Sequence, residues 1–99
     1  MSTPPTFILV IYDISDDSTR LDMAAALKRL ALTRIQKSAF IGPSRPLLVG
    51  EVKNAARRII DQATDNVQIY PLTQASYNMR IILGKEYSKE FLANAGYMV

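Results

Sequence analysis

Two chemically versatile residues are missing from this 99-residue sequence, which contains no cysteine and no histidine. Without cysteine the chain can form neither disulfides nor a thiolate metal site. Without histidine, any mechanism that needs an imidazole base or imidazole metal ligand is excluded, including a Ser-His-Asp triad. Polar chemistry is therefore left to carboxylates, hydroxyls, lysine, arginine and a hard cation held by oxygen atoms.

Glycine and long apolar runs are scarce as well. The four glycines are scattered singly, so the chain has neither a P-loop nor a dinucleotide-binding glycine motif. The longest apolar run, Phe7 to Tyr12, is far too short to span a bilayer, and the first residues do not resemble a secretory signal. The sequence therefore predicts a soluble, cytoplasmic protein with no membrane partner.

The composition is that of an ordinary globular domain, with 48% hydrophobic and 21% charged residues. We expect one domain over residues 1–99, with its core at about 7–84. A net charge of +3 favours a polyanionic partner only mildly, because many basic proteins bind no nucleic acid.

The hydrophobic pattern predicts strands that alternate with helices. Strands are predicted at 7–12, 34–41 (one strand, or one broken midway), 67–72 and 79–83; helices are predicted from about 15–18 to Leu32 and from about Pro46 towards Ala63. This order implies one sheet with both helices on one face. Because the first strand is apolar at every position, a second copy of the chain is the economical cover for the other face.

One carboxylate stands out because Asp13 directly follows the first strand. Mg²⁺ needs few protein carboxylates, since it keeps waters and borrows phosphate oxygens. If a dimer axis passes near the end of this strand, two copies of Asp13 could hold one metal. The alternative interpretation is that Asp13 closes its loop through backbone hydrogen bonds. Asp16 and Asp17 are better explained as helix-start residues.

Basic and polar residues follow in the second extended tract. Arg34, Gln36, Ser38 and Phe40 would share one strand face, where arginine can bind phosphate and phenylalanine can pack on a sugar or base. Lys37 lies on the opposite side, or is displaced by a bulge. An ordinary solvent-facing strand remains the alternative. Arg20 could reach back to a phosphate near Asp13. Other basic residues lie on predicted helix faces, where such charges usually do no more than keep the helix surface solvated: Lys28, Arg29, Lys53, Arg57 and Arg58.

Three segments together resemble the CRISPR-associated protein two family: FILVIYDISDD at 7–17, RIQKSAFIG at 34–42 and NVQIYPL at 66–72. The resemblance implies an α+β, ferredoxin-like protomer that forms a homodimer through its sheet, with the C-terminal segment 85–99 completing the dimer. It also implies a CRISPR integrase partner protein and a role in spacer acquisition. The implied activity is a metal-dependent endonuclease that cuts RNA or double-stranded DNA with Mg²⁺ or another divalent cation.

By position, the resemblance implies that Asp13 is the catalytic metal ligand, that Arg20, Arg34 and Ser38 bind nucleic acid, and that Tyr12 and Phe40 shape the site. Lys37, Ala39 and the proline-rich stretch 42–46 depart from the family pattern. Two alternatives stay open: a non-catalytic DNA-binding subunit of the spacer-integration complex, and a generic RNA-binding or sensing domain.

Overall fold

The chain folds as an antiparallel α+β sandwich in a computed structural model, which describes residues 7–86. The elements, in chain order, are β1 (Phe7–Asp13), α1 (Asp17–Arg29), β2 (Thr33–Gln36), β3 (Ala39–Pro43), α2 (Leu48–Ile59), β4 (Asn66–Leu72) and α3 (Gln74–Asn78). The strands form one sheet in the order β2-β3-β1-β4, and every neighbouring pair is antiparallel. This is the ferredoxin-like architecture expected from the sequence.

The core lies between the sheet and the two long helices. On β1 the alternate residues Ile8, Val10 and Tyr12 are buried, as the twofold period of a strand requires. They pack with Met23 and Leu27 of α1, and with α2, in one apolar cluster. The other set of β1 side chains lies on the opposite surface of the sheet, which we call the open face; it includes Leu9 and Ile11.

Helix α1 begins where the sequence predicts, because Asp16 caps it. The Asp16 carboxylate accepts hydrogen bonds from the Thr19 backbone at 2.9 Å and from the Ser18 hydroxyl at 2.7 Å, so backbone donors at the helix start are satisfied. Helix α2 has no side-chain cap and follows Leu47, whose φ of 75° is left-handed. It ends at Ile59, earlier than the apolar pattern suggested, and Asp61 opens a turn by accepting from Ala63 N.

The tract predicted as one extended strand is a hairpin. Strands β2 and β3 are joined by a tight turn at Lys37 and Ser38, and Arg34 pairs with Phe40 across them. The register shifts between Arg34 and Gln36, which is the signature of a bulge. The prediction of one uninterrupted strand was wrong, and the alternative of a strand broken midway is confirmed.

The strand predicted at Met79–Leu83 was wrong as well. Thr73 caps the short helix α3 instead, accepting from Ser76 N at 3.1 Å, and the chain then continues without pairing to the sheet up to residue 86. A strand-like apolar pattern needs a sheet edge or a second layer to bury its side chains. Ile81 and Leu83 instead remain 84% and 88% exposed. Most of the predicted dimer-completing segment, residues 87–99, lies outside the described residues.

Candidate nucleic-acid interface and metal ligand

Asp13 lies at the rim of a cleft at one end of the sheet. It is the last residue of β1, is exposed, and stands opposite Asn66 in the pairing of β1 with β4. A cleft of about 740 Å³ is formed there by the end of β1, the first turns of α1 and the β2–β3 hairpin. Five of the predicted site residues line it together: Tyr12, Asp13, Arg20, Arg34 and Ser38.

Tyr12 holds the hairpin turn next to Asp13. Its backbone N–H donates to Ser38 O at 2.9 Å, and its buried phenol donates to Lys37 O at 3.4 Å. Both bonds connect the end of β1 to a turn about 25 residues further on. The main chain of Lys37 and Ser38 is therefore held next to the end of β1, where Asp13 lies.

Lys37 is a cleft residue that the sequence alone did not assign. Strict alternation would place it on the side opposite Arg34 and Ser38, yet it lines the same cleft as they do. The bulge between Arg34 and Gln36 breaks the alternation, because an extra residue shifts every later side chain. The possibility of a bulge was the one feature of the sequence analysis that could have placed Lys37 in the cleft.

Phe40 does not line the cleft, which corrects the idea that its ring packs on a sugar or base. Its side chain is fully buried in the core. The guanidinium carbon of Arg34 lies 5.1 Å from the centroid of the Phe40 ring, within the range of a cation–π contact. Phe40 therefore affects the site only indirectly, through the contact of its ring with the Arg34 guanidinium.

Arg20 is engaged within its own loop. It forms an ion pair with Asp17, and its Nη1 donates to Ile14 O at 3.1 Å. The bond to Ile14 ties α1 to the residue that follows Asp13. Because Asp17 neutralises part of its charge, Arg20 contributes less positive potential to the cleft than its position in the sequence suggested.

A second loop stabilises the region behind Asp13. The Asp65 carboxylate accepts from Asp61 N at 3.0 Å and from both the backbone and the hydroxyl of Ser15 at 3.4 Å. The Asp61 hydrogen bond is the largest of the contacts that hold the pKa of Asp65 below its ordinary value. Sequence reasoning missed Asp65 because its partner Ser15 is 50 positions away.

The cleft offers few carboxylate ligands for a hard divalent cation. Within residues 7–86, no three carboxylates come close enough together to chelate a metal inside one protomer. Of the two carboxylates that line the cleft, Asp17 pairs with Arg20, whereas no side-chain hydrogen bond or ion pair of Asp13 occurs in this part of the chain. One or two carboxylates suffice for Mg²⁺, which keeps waters and takes phosphate oxygens, so Asp13 fits such an ion.

The fold and the cleft together define a ferredoxin-like α+β protein whose strand-end carboxylate stands among arginine and lysine side chains. No helix in the described range, 7–86, is long and apolar enough to cross a membrane. The family model for CRISPR associated protein Cas2 matches residues 6–80. The chain therefore belongs to the Cas2 family.

Relatives and solved structures agree with this assignment. The chain is 38% identical over 78 residues to a CRISPR-associated endoribonuclease Cas2 of Korarchaeum cryptofilum, a match that covers 79% of this chain and 84% of that protein. It is 33% identical over 64 residues to a CRISPR-associated endonuclease Cas1/endonuclease Cas2 fusion of Thermoproteus tenax, covering 65% of this chain and 24% of the fusion.

Two crystal structures share the fold. A hypothetical protein from Thermus thermophilus superposes with a TM-score of 0.71 at 30% identity, covering 83% of this chain and 94% of that one. Streptococcus pyogenes Cas2 superposes with a TM-score of 0.66 at 26% identity, covering 79% of this chain and 99% of that one. The family and the fold expected from the three sequence segments are confirmed.

Proposed function

We propose that this protein is a metal-dependent endonuclease of spacer acquisition that hydrolyses phosphodiester bonds at the Asp13 cleft of a homodimer. The observation that carries the proposal is the placement of one exposed carboxylate beside Arg34 and Lys37 in a single cleft. Such a site can hold a divalent cation and a phosphate next to each other. The endoribonuclease and endonuclease names of its relatives support the same activity.

The open face of the sheet supports a homodimer. Ile11 is 38% exposed and Tyr70 is 45% exposed, and both belong to the surface that the helices leave uncovered. Ile81 and Leu83 add further exposed apolar area after α3. Large apolar side chains left exposed on one sheet face are typical of an interaction site, and a second copy presents a surface of the same composition. Pairing through this face would bring the two strands that end in Asp13 together.

Each cleft residue then has a defined task. Asp13, with the same residue of the second copy, would hold the Mg²⁺ ion. Bound there, the ion would offset charge on the phosphate and favour ionisation of a water molecule. Arg34 would bind phosphate oxygens through its planar guanidinium, and Lys37 would add a flexible positive charge. Ser38 would donate a neutral hydrogen bond, while Tyr12 keeps the hairpin in register.

The partner we propose is a CRISPR integrase of the Cas1 type, acting with this protein in the cytoplasm. The Thermoproteus tenax relative is named as a fusion of Cas1 and Cas2. In that protein a chain similar to this one is covalently joined to such a partner. A separate chain of the same family would meet the same partner by binding.

A cleavage assay with matched aspartate variants tests the proposal. Purified wild type, Asp13→Asn and Asp22→Asn are each incubated with RNA or with double-stranded DNA, with Mg²⁺ or with a chelator. Asp22 is a suitable control because it is exposed on α1 and does not line the cleft. We expect Mg²⁺-dependent cleavage by wild type and by Asp22→Asn. The cleavage rate of Asp13→Asn should be at least about 100-fold lower, because this variant lacks the carboxylate that would hold the metal ion. Equal cleavage by all three proteins would overturn the catalytic role.

A second function, a structural DNA-binding subunit, is favoured by cations that lie away from the cleft. Lys53, Arg57 and Arg58 are exposed on α2 and do not line the Asp13 cleft, but they can contact a phosphate backbone. This function predicts that Asp13→Asn supports spacer acquisition as well as wild type. The acquisition assay in cells therefore separates the two functions.

A further inference from the structure

The direction of the Asp13 carboxylate depends on the main chain around it. Within residues 7–86 this side chain makes no hydrogen bond or ion pair, so no neighbouring group orients it directly. On one side, the backbone of Tyr12 donates to Ser38 O at 2.9 Å. On the other side, the chain turns at once through Ser15 towards α1. The contacts of that turn therefore decide how firmly the carboxylate is placed.

Asp65 connects this turn to the loop between α2 and β4. Its Oδ2 accepts from Asp61 N at 3.0 Å, which fixes the carboxylate within its own loop. Its Oδ1 accepts from the backbone and the hydroxyl of Ser15, each at 3.4 Å, and from the Thr64 hydroxyl at 3.1 Å. The two oxygens of one carboxylate thus bridge two loops that lie 50 positions apart in the sequence.

The bridge lies beside the end of β1. Asp65 directly precedes Asn66, which pairs with Asp13 in the register of β4 with β1, and Ser15 follows Asp13 almost immediately. The end of β1 is therefore joined to the start of β4 twice, once through the ladder and once through the Asp65 side chain. A turn held at both ends has less conformational freedom, so a side chain within it has fewer directions available.

We propose that Asp65 is a positioning residue, which holds the turn after β1 so that the Asp13 carboxylate is directed at a divalent cation. The inference rests on the proposed binding of a metal ion by Asp13. Asp65 does not line the Asp13 cleft, so it acts through Ser15 and not as a ligand. Groups that orient a metal ligand change metal affinity by about 10–100-fold, and an indirect connection through Ser15 favours the lower end of that range.

Binding of Mn²⁺ tests the proposal without relying on cleavage. Mn²⁺ favours the same oxygen ligands as Mg²⁺, and the EPR signal of the free ion gives its dissociation constant with the full-length protein. In Asp65→Asn the amide has one accepting oxygen where the carboxylate has two, so it cannot bridge both loops. We expect the Mn²⁺ dissociation constant of this variant to be about tenfold higher than that of wild type.

Asp61→Asn is the matched control, because it removes the same charge from the same loop. The Asp61 side chain accepts from Ala63 N at 2.9 Å, and an asparagine oxygen can accept the same bond. We expect this variant to bind Mn²⁺ as tightly as wild type. Thermal unfolding in a chelator checks that each variant is folded at the temperature of the titration, where a change in stability alone does not alter the dissociation constant.

Ser15→Ala tests the bridge from its other end, because it removes the hydroxyl contact and keeps the backbone one. We expect the Mn²⁺ dissociation constant to rise about threefold, as befits one weak hydrogen bond. In the double variant Ser15→Ala/Asp65→Asn the constant should equal that of Asp65→Asn alone, because two changes that break one connection are not additive.

Three results would overturn the positioning role: wild-type affinity in Asp65→Asn, an equal loss of affinity in Asp61→Asn, or a further threefold loss in the double variant. A wild type that binds no Mn²⁺ overturns it as well, together with the proposed metal site. Cleavage in Mg²⁺ distinguishes these failures. If the wild type cuts and Asp65→Asn binds Mn²⁺ as tightly as wild type, the positioning role is wrong and the proposed endonuclease activity is unaffected.

Discussion

The guanidinium of Arg34 lies over the ring of Phe40, 5.1 Å from its centroid, because the two residues pair across β2 and β3. One partner is fully buried in the core and the other lines the Asp13 cleft. The packing of the core is therefore coupled to the position of a side chain that we expect to bind phosphate. A cation over an aromatic ring contributes about 0.5–1 kcal/mol at such a partly exposed place.

This coupling predicts that Phe40→Leu weakens nucleic-acid binding, although its side chain cannot touch the ligand. We expect a cost of about 1 kcal/mol in the free energy of unfolding, together with a fall in affinity of about threefold from the loss of the ring beneath Arg34. Met23→Leu is the matched control, since Met23 is also fully buried but belongs to α1 and does not line the cleft. Urea unfolding and fluorescence anisotropy measure the two quantities. Equal affinities of the two variants would contradict the coupling.

The cap of α1 predicts a specific acid sensitivity. Hydrogen bonds from the Ser18 hydroxyl and the Thr19 backbone lower the pKa of Asp16 from 3.8 to about 2. Because the folded-state pKa is depressed, this carboxylate stabilises the protein above its unfolded pKa near 3.8, and the contribution is lost as the pH falls through about 2. Asp16→Ala should therefore unfold several degrees below wild type at neutral pH.

Thermal unfolding at a series of pH values checks this prediction. The difference between wild type and Asp16→Ala should shrink as the pH falls from about 4 towards 2. Asp22→Ala is the control, since Asp22 is exposed on the same helix and makes no side-chain hydrogen bond within residues 7–86. A difference between wild type and Asp16→Ala that does not change with pH would rule out the cap as its cause.

Two glycines predict opposite effects of the same substitution. A Cβ on Gly50 would meet nothing within 4 Å, whereas a Cβ on Gly42 would lie 3.0 Å from Leu32 Cγ and 3.1 Å from Leu32 Cα. Gly50→Ala should raise the free energy of unfolding by about 1 kcal/mol, because Gly50 lies within α2 and alanine favours helix. Gly42→Ala should lower it by about 1–3 kcal/mol, because the strand must move from Leu32. Urea unfolding measures the free energy of unfolding of both variants. Destabilisation by Gly50→Ala would contradict the open space found around a Cβ at this position.

The sequence predicts best where local signals act alone. The apolar run of β1 and the capping residue Asp16 place both elements correctly. It fails where distant contacts decide, as with the turn at Lys37 and Ser38, which carries no glycine or asparagine signal and is fixed by bonds from Tyr12. Of the two alternatives for Lys37, the opposite strand side was wrong and displacement by a bulge is the one that the register shift between Arg34 and Gln36 supports. The segment after Met79 has a strand-like pattern, yet within residues 7–86 no strand pairs with it.

The proposed dimer predicts that a charge on the open face separates the protomers. Ile11 is 38% exposed on that face, and Val49 on α2 is 37% exposed on the helix side. Ile11→Lys should weaken self-association at least about tenfold, or about 1.4 kcal/mol, because each dimer would bury two unpaired ammonium groups. Val49→Lys adds the same charge at the same exposure outside the proposed interface, and should leave association unchanged.

Sedimentation velocity over a concentration series measures both variants against wild type. The cleavage assay then adds a functional reading, since an Asp13 site shared between copies should lose activity in step with the dimer. Restored activity of Ile11→Lys at high protein concentration would support a shared site. A monomeric wild type, or an Ile11→Lys protein that associates as tightly as Val49→Lys, would show that the two Asp13 carboxylates do not meet through the open face.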